Sequence, residues 1–447
     1  MRAIHVILGL VLALVLVAAF VVFAWRSAIA PVDPPPPSSF DAALMAKGAE
    51  LATIANCGVC HTAESGEAYA GGRPLKTPFG TIYGTNITPD PVTGIGRWSE
   101  AAFFRALREG VDRQGRHLYP AFPYDHYTKM SDEDIKAIYA FIMTRGAVRA
   151  EVPPNELAFP FNIRMLVAGW KAAYFRPGAF QADAAQSPDW NRGAYLVEGP
   201  AHCGACHTPR NLLGAEKKRR YLAGGESEGW HAPALNTASP APAPWTAETL
   251  FQYLRHGVAD KHAVAAGPML PVVRNLSTVS QQDVQAIAAY IASYAGQVTP
   301  ERQQRAEYSV ARAQNDAVAQ VTGEPVPASD GGDPALQMGR AIYAGACVGC
   351  HDSGRQTSSS GTALNLALAS GLTLPTPSNL IRIVLDGITP PVGEPGPWMP
   401  AFAGALTDEQ VVALVRFLRT DVAKATPWRD VEGELKKVQR DRERKSQ

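Results

Sequence analysis

Three short stretches carry all six cysteines of this 447-residue chain, and each has two cysteines, two spacer residues and a histidine in the same order. They read Cys57-Gly58-Val59-Cys60-His61, Cys203-Gly204-Ala205-Cys206-His207 and Cys347-Val348-Gly349-Cys350-His351. Two thiols on one helical turn can add across the two vinyl groups of one porphyrin, and the adjacent imidazole can bind its iron. The pattern therefore predicts three covalently bound c-type haems, with His61, His207 and His351 as proximal ligands.

Two other uses of paired cysteines compete with this interpretation. Such pairs also bind zinc or form a thioredoxin-like dithiol. One motif alone would leave the choice open, but three complete copies that use every cysteine favour haem. No cysteine is then left for a disulfide bond.

The composition fits a globular chain of several domains. The length predicts about three domains of roughly 150 residues each, and the motifs are almost evenly spaced. A net charge of +1 with 19% charged residues does not suggest a nucleic-acid partner. The 36 prolines and 39 glycines indicate loop-rich domains, as expected where a haem replaces much of the core.

The N-terminal stretch from Ile4 to Trp25 contains no Asp, Glu, Lys or Arg and is flanked by Arg2 and Arg26. As a helix it would be about 33 Å long, enough to cross a bilayer. A cleaved secretory signal is the alternative, because Ala28-Ile29-Ala30 resembles a cleavage site, but its apolar stretch would be unusually long. We therefore predict a retained anchor in the bacterial inner membrane, with the haem domains facing the periplasm. Arg26 on the outer flank weakens the charge argument for this orientation.

The repeats define the expected domain boundaries. They are an anchor (1–30), a proline-rich linker (31–40), a first domain (41–150), a linker (151–186), a second domain (187–296), a linker (297–333), a third domain (334–424) and a charged tail (425–447). Four consecutive prolines make the first linker stiff and extended, so we expect it to hold the first domain off the membrane.

Each repeat has the same order of helical signals. A glycine precedes each motif within a helical stretch, where it usually marks a close helix crossing; these are Gly48, Gly193 and Gly339. Each repeat closes with a helix that has a capping-box layout, beginning at Ser131, Ser280 and Thr407. Aromatic residues fall at equivalent places in the closing helices, namely Phe141, Tyr290 and Phe417.

One methionine in each repeat lies just before or shortly upstream of its closing helix. We predict Met130, Met269 and Met399 as the distal iron ligands, because a thioether opposite the histidine fills both axial positions. At the first site His117 and His126 lie nearby in sequence and are alternative ligands. We predict no role for the other histidines, which we expect to lie at the surface or beside the haem propionates.

These three segments resemble class I cytochrome c, which packs a helix glycine against an aromatic residue of the last helix around one haem. The resemblance implies an all-α fold of three tandem class I cytochrome c domains behind one transmembrane helix. The whole layout also resembles the triple-haem cytochrome c subunits of bacterial periplasmic dehydrogenases. The stretches that carry this likeness include Leu118-Tyr119-Pro120-Ala121-Phe122-Pro123-Tyr124, Trp190-Asn191-Arg192-Gly193-Ala194-Tyr195-Leu196 and Pro397-Trp398-Met399-Pro400.

The resemblance implies an electron-transfer subunit without catalysis of its own. Electrons would pass from a partner dehydrogenase, of the molybdenum, quinoprotein or flavin type, to ubiquinone, another cytochrome c or a terminal oxidase. The stretch from Pro160 to Trp170 points to the molybdenum group. One departure is the Ala/Pro-rich stretch between His231 and Trp245, which lacks the first domain's Asn86–Asp90 loop and leaves the second haem's surroundings open. A multihaem peroxidase with an exchangeable distal ligand, and a haem-based sensor, are the rival functions.

Two segments outside the domains are open to more than one interpretation. The apolar stretch 160–175 could lie on the membrane interface, dock against a partner subunit, or pack as a helix across two domains. The charged tail is predicted as a solvated or frayed helix.

Overall fold

The computed structural model describes residues 2–259, 261–296, 299–301, 303–304, 306–308, 311, 333–351, 356–358, 361–362, 364, 366–390 and 397–446. The chain forms two compact units. One comprises residues 1–185 with 195–202, and the other comprises residues 186–194 with 203–447. Most of the predicted linker 297–333 lies outside the described residues.

In the first unit, helices supply the core and short strands pair in the order β1-β2-β3. The elements are α1 (Arg2–Ala24), α2 (Ala42–Ile54), α3 (Cys57–Cys60), β1 (Pro74–Thr77), β2 (Gly80–Tyr83), α4 (Glu100–Glu109), α5 (Tyr124–Tyr127), α6 (Asp132–Met143), β3 (Glu156–Leu157) and α7 (Val167–Tyr174). β1 and β2 are antiparallel, with Leu75 opposite Ile82. β3 is antiparallel to β2, so the segment that follows α6 adds a third strand to the β1-β2 hairpin.

The predicted crossing of the first and last helices is present in the first unit. A Cβ added at Gly48 would overlap the carbonyl oxygen of Ala137 and lie 2.9 Å from the Cβ of Phe141. Only glycine therefore lets α2 approach α6 this closely. The crossing anchors one hydrophobic core that includes Leu51, Ile135, Ile138 and Met130.

Helix α1 contains the predicted apolar stretch, and Ile4–Ala24 is long and apolar enough to cross a membrane. Its carboxyl end is fixed directly to the first domain. The carbonyl oxygen of Ala24 lies 2.8 Å from Nε2 of buried His117, and Ile29 N–H donates to Arg113 O at 2.8 Å. The expected stand-off by the proline-rich linker is therefore wrong, because the chain binds the domain before it reaches the prolines.

Helix α7 accounts for the second half of the apolar linker stretch. It packs within the first unit against α1 and against the end of α4. Lys171 is buried here, and its Nζ donates to Glu109 O and Gly110 O, each at 2.6 Å. These bonds satisfy the carbonyls that the C-terminus of α4 leaves free.

The second unit is built from helices and two-stranded hairpins. Its elements are α8 (Pro188–Glu198, with the residues up to Ala194 in this unit), α9 (Gly204–His207), β4 (Gly225–Ser227), β5 (Trp230–Ala232), α10 (Ala247–His256), β6 (Val258–Ala259), β7 (Ala263–Val264), α11 (Met269–Leu276), α12 (Gln281–Tyr294), α13 (Pro334–Ala346), α14 (Val348–His351), β8 (Gln356–Ser358), β9 (Gly361–Thr362), α15 (Ser378–Asp386), α16 (Asp408–Phe417) and α17 (Val431–Ser446). The short hairpins were not predicted from the sequence.

Two more glycine crossings occur in this unit. A Cβ at Gly193 would lie 2.8 Å from the Cβ of Tyr290, and one at Gly339 would lie 2.6 Å from the Cβ of Phe417. Each would also overlap a carbonyl oxygen of the facing helix, as at Gly48. The three glycine–aromatic pairs predicted from the sequence are therefore confirmed.

The capping-box prediction holds in full only for α16, where Thr407 and Gln410 exchange side-chain and backbone bonds. Ser131 caps α6 through Asp134 N–H, but Asp134 itself binds Lys47 at 2.5 Å. Ser280 makes no cap bond to α12. Long-range partners take the acidic side chains that would have completed the two boxes.

The prediction of a solvated or frayed tail is wrong. Helix α17 packs on α15 and α16 and buries Val431, Leu435 and Val438 in the hydrophobic core that these helices share with α13. These residues recur at helical spacing, but the surrounding charged residues obscure the pattern in the sequence. The tail is therefore part of the same hydrophobic core as α13, α15 and α16.

Candidate haem sites

The cysteine pairs lie on single helical turns, as the chemistry of attachment requires. The first motif forms α3, the second forms α9 and the third forms α14. Five of the six cysteines are partly buried, and Cys350 is exposed. Burial raises the pKa of Cys57 and of Cys203 to about 12. A thioredoxin-like dithiol needs a lowered thiol pKa, so these environments do not suit that alternative.

Each motif histidine uses one ring nitrogen to bind a backbone carbonyl. The Nδ1 atoms lie 2.6 Å from Thr85 O for His61, 2.8 Å from Pro233 O for His207, and 3.1 Å from Leu364 O for His351. A carbonyl only accepts hydrogen bonds, so the proton must be on Nδ1. The Nε2 lone pair is then available to bind a metal, and the carbonyl fixes the ring orientation.

A β-hairpin positions the carbonyl acceptor at every site. Thr85 follows β2, Pro233 follows β5 and Leu364 follows β9, each by one or two residues. The hairpins approach the first two motifs so closely that a Cβ at Gly84 would overlap Cys60 O and one at Gly225 would lie against Cys206 O. The second site thus keeps this support although it lacks the loop found in the first.

This arrangement fits a c-type haem. Each site offers two thiols on one turn for the vinyl groups and an imidazole with its second nitrogen already engaged. Burial also lowers the pKa of His61 and His207, which favours the neutral imidazole that binds iron. Residues Cys57, Cys60 and His61 would hold the first haem, and their equivalents would hold the other two.

The three predicted distal methionines lie in different settings. Met130 is fully buried in the same hydrophobic cluster that Cys57 packs against, directly before Ser131. Met269 is half-buried and begins α11 rather than lying in a loop. Met399 is half-buried and pairs through its backbone with Ile388. The structure therefore brings Met130 into the core of its haem motif, whereas the other two lie on the segments before their closing helices.

Two histidines near the first site have other partners. His117 binds the end of α1, as described above. The Nδ1 of His126 lies 2.9 Å from Glu198 O. Both side chains are buried. Both ring nitrogens of His117 are engaged, one by the end of α1 and the other by Lys171. His126 makes its contact with Glu198 O through one ring nitrogen, so it stays the alternative to Met130 at the first site.

Residues of the third domain that support the second site were missed by sequence reasoning. Arg382, on α15, is 2% exposed; its Nε donates to Gly229 O and its Nη2 lies 2.6 Å from Asp441. His262 is also buried, and its ring stacks on Trp245 at 3.9 Å. Its carbonyl accepts from Ser370 N–H at 2.7 Å. Arg382 and Ser370 thus hold two loops that follow the second motif in the chain, and no local sequence pattern marks these contacts.

Comparisons with known proteins match this architecture. The family described as "Cytochrome c" matches residues 45–146, and the family "Cytochrome C oxidase, cbb3-type, subunit III" matches residues 188–291 and 334–418. The fructose dehydrogenase cytochrome subunit of Gluconobacter japonicus is 35% identical over 88% of this chain and 82% of its own length. The gluconate 2-dehydrogenase cytochrome c subunit of Pantoea cypripedii is 37% identical over 84% of this chain and 85% of its own length.

A third relative is more similar but much longer. It is a subunit of the nicotinate dehydrogenase of Pseudomonas putida, and it is 46% identical over 93% of this chain. The chain spans only 33% of the length of that protein.

Proposed function

The chain belongs to the family of cytochrome c subunits of dehydrogenases, and from this membership we propose that it carries electrons through three covalently bound haems in three tandem class I domains. One observation carries the proposal. At all three motifs the histidine donates its Nδ1 proton to a carbonyl that follows a hairpin, which leaves Nε2 for iron. A haem bound by histidine and methionine supplies a one-electron couple of raised potential.

The proposed ligands follow from these positions. The thioether bonds would form at Cys57, Cys60, Cys203, Cys206, Cys347 and Cys350. The axial ligands would be His61 with Met130, His207 with Met269, and His351 with Met399. A protein ligand on both faces leaves no open position for a substrate, so the chain is an electron-transfer subunit and catalysis lies in the partner.

The proposed partner is the catalytic subunit of a dehydrogenase. The similarity to the nicotinate dehydrogenase subunit exceeds that to the fructose and gluconate dehydrogenase subunits. This ranking supports a partner that oxidises nicotinate or a related N-heterocycle, in keeping with the molybdenum group to which the linker stretch points.

Among the possible acceptors we favour a membrane quinone. A cavity of about 620 Å³ lies beside the carboxyl end of α1, with an apolar wall that includes Phe23, Phe104 and Phe175 and with Lys171 and His117 on its lining. Reduction of a quinone takes up two electrons and two protons. Burial lowers the pKa of Lys171 to about 7, so its amine can exchange a proton near neutral pH. The same end of α1 would place the cavity at the periplasmic face of the inner membrane.

The haem content and ligands are tested on the purified chain. Mass spectrometry should show three haem additions, and two or fewer would refute the proposal. In the ferric protein, Met130→Leu should remove one of three contributions to the weak near-infrared band that reports sulfur ligation. Met143→Leu is the matched control, because Met143 is buried in the same core and Leu has a similar volume. An unchanged band in Met130→Leu would exclude Met130 as a ligand.

The role is tested by recombining the chain with its dehydrogenase. The isolated chain should accept electrons from dithionite and pass them to a quinone, without turning over alcohols, sugars, aldehydes or N-heterocycles. Added to the catalytic subunit, it should restore substrate-dependent quinone reduction. Steady oxidation of any such substrate, or turnover of hydrogen peroxide, by the chain alone would instead support the rival enzyme function.

A further inference from the structure

An exposed apolar surface lies on the turn that precedes α7. Its four large side chains are Phe159 (79% exposed), Phe161 (39%), Ile163 (42%) and Leu166 (44%). Residues 158–163 contain no charged side chain and one polar one, Asn162. Such a contiguous patch on a folded surface usually marks a contact with a membrane or another protein.

The turn is held in a fixed shape by the domain behind it. Ala158 N–H donates to Phe79 O at 3.1 Å, and the ring of Phe161 packs 4.6 Å from that of Phe79. Arg164 places its guanidinium over the ring of Tyr119 at 4.8 Å and donates to His117 O. The apolar side chains are therefore presented outward by an ordered segment.

The position of this turn beside α1 identifies what covers it. The turn at Arg164–Leu166 and helix α7 both contact α1. A Cβ added at Gly169 would lie 3.8 Å from Cε2 of Phe20. Phe20 lies four residues before the end of α1, which corresponds to about 6 Å along the helix axis.

That depth matches the interface of a bilayer. The apolar stretch Ile4–Ala24 has 21 residues, about 32 Å of helix, which only just crosses a hydrocarbon core of about 30 Å. Helix α7, which meets Phe20 at Gly169, then lies within the outer boundary of the lipid, and the turn that leads directly into α7 also contacts α1. Peripheral segments that bury an apolar face typically reach about 5–10 Å into this region.

We propose that the turn from Phe159 to Leu166 is a second membrane contact, which inserts its apolar side chains into the lipid beside α1. Trp25, 66% exposed at the end of α1, lies in the same boundary, where tryptophan is enriched. The occupant is lipid rather than a soluble protein, because a protein would have to displace lipid at this depth. Together with the bond between α1 and His117, the contact would fix the orientation of the first haem domain on the membrane.

The inference rests on the proposed anchoring by α1, and spin labels can test both together. Since all native cysteines are proposed to be bonded to haem, a single introduced cysteine can be labelled specifically. The variants are Phe161→Cys and Ile163→Cys in the turn, Leu14→Cys in α1, and Val92→Cys as an exposed apolar control in the loop before α4. The full haem-loaded chain is reconstituted in vesicles of phosphatidylethanolamine and phosphatidylglycerol.

The readout is the relative access of dissolved oxygen and of a water-soluble nickel complex to each label. The ratio of oxygen access to nickel access should be several-fold higher at Phe161 and Ile163 than at Val92. It should be highest at Leu14. Labels in the turn that match Val92 while Leu14 stays in lipid would overturn the second contact. Nickel access at Leu14 would overturn the anchor itself. A turn label that becomes protected only after the dehydrogenase is added would show a protein-docking surface and also refute the inference.

Discussion

Asn379 exchanges two hydrogen bonds with the backbone of His231, two residues before the carbonyl that binds the proximal histidine of the second site. His231 N–H donates to Asn379 Oδ1, and Asn379 Nδ2 donates to His231 O, each at 2.8 Å. Pro233 O then accepts from Nδ1 of His207. A side chain on α15 thus holds the strand that leads to the carbonyl bound by His207.

We expect Asn379→Ala to raise the reduction potential of the second haem. Loss of the two bonds frees β5 and weakens the hydrogen bond from His207 to Pro233, and a less basic imidazole stabilises ferric iron less. We expect the equilibrium between ferric and ferrous haem to shift about threefold towards the ferrous form. For one electron, at about 59 mV per tenfold change, this corresponds to a rise of about 28 mV in the reduction potential. A spectroelectrochemical titration measures the reduction potential of each haem component. The component whose potential also changes in Met269→His is assigned to the second haem.

Two further variants control that experiment. Arg382→Lys loses the bond to Gly229 O but keeps the positive charge, so it should shift the same component without a change in charge. Arg442→Gln breaks an exposed ion pair with Asp386, which lies on α15 like Asn379 and Arg382. This variant should shift no component of the titration. Equal shifts of all three components in Asn379→Ala would indicate a general disturbance and contradict the proposed local effect.

The glycine crossings predict a position-specific stability loss within one helix. Gly339→Ala should destabilise the third domain by about 1–3 kcal/mol or more, because the new methyl group overlaps Ala413 O and crowds Phe417. Gly345→Ala, in the same helix α13, meets no protein atom within 4 Å and should stabilise it by up to about 1 kcal/mol. Urea unfolding of the two haem-loaded variants compares them. Equal losses would mean that helix propensity, not the crossing, determines the effect.

The sequence predicted the parts of the site that depend on local spacing. The motifs, the glycine–aromatic pairs and the helix order all follow from residues close together in the chain or repeated three times. The carbonyl acceptors could not be predicted, because any residue has a carbonyl and only the fold of the hairpin selects Thr85, Pro233 or Leu364. Contacts such as Asn379 with His231 join residues far apart in sequence, and nothing in either residue type marks the pairing.

The tail shows a different reason for failure. The charged residues of α17 outnumber its three buried aliphatic residues, so its composition indicates a solvated helix. Its inner face is visible only when α15 and α16 are present to cover it.

This packing predicts that one tail leucine stabilises the third domain. Leu435 is 2% exposed in the core cluster, so Leu435→Ala should cost about 2–5 kcal/mol. Lys436→Ala, at the next and exposed position, should cost less than about 0.5 kcal/mol. Denaturant midpoints of the third domain, followed through its haem absorbance, test the pair. Similar small effects for both would mean that α17 does not contribute to the core.

The buried amine of Lys171 predicts a pH dependence confined to the junction of α1, α4 and α7. Burial lowers its pKa to about 7 from an ordinary value of 10.5, with the positive charge of Arg26 as a smaller cause. Above pH 7 the folded chain has lost a proton that the unfolded chain keeps until about pH 10.5, so local stability should rise with pH across this window. Below pH 7 both states are protonated, and the gain is absent.

Hydrogen exchange of the α7 peptide, corrected for the intrinsic pH dependence of amide exchange, should therefore slow from pH 7 to pH 9. Lys171→Met removes the titrating group at similar length, and its corrected exchange should not change over this range. A wild-type profile as flat as that of the variant would mean that the bonds from Nζ to Glu109 O and Gly110 O keep the amine charged throughout.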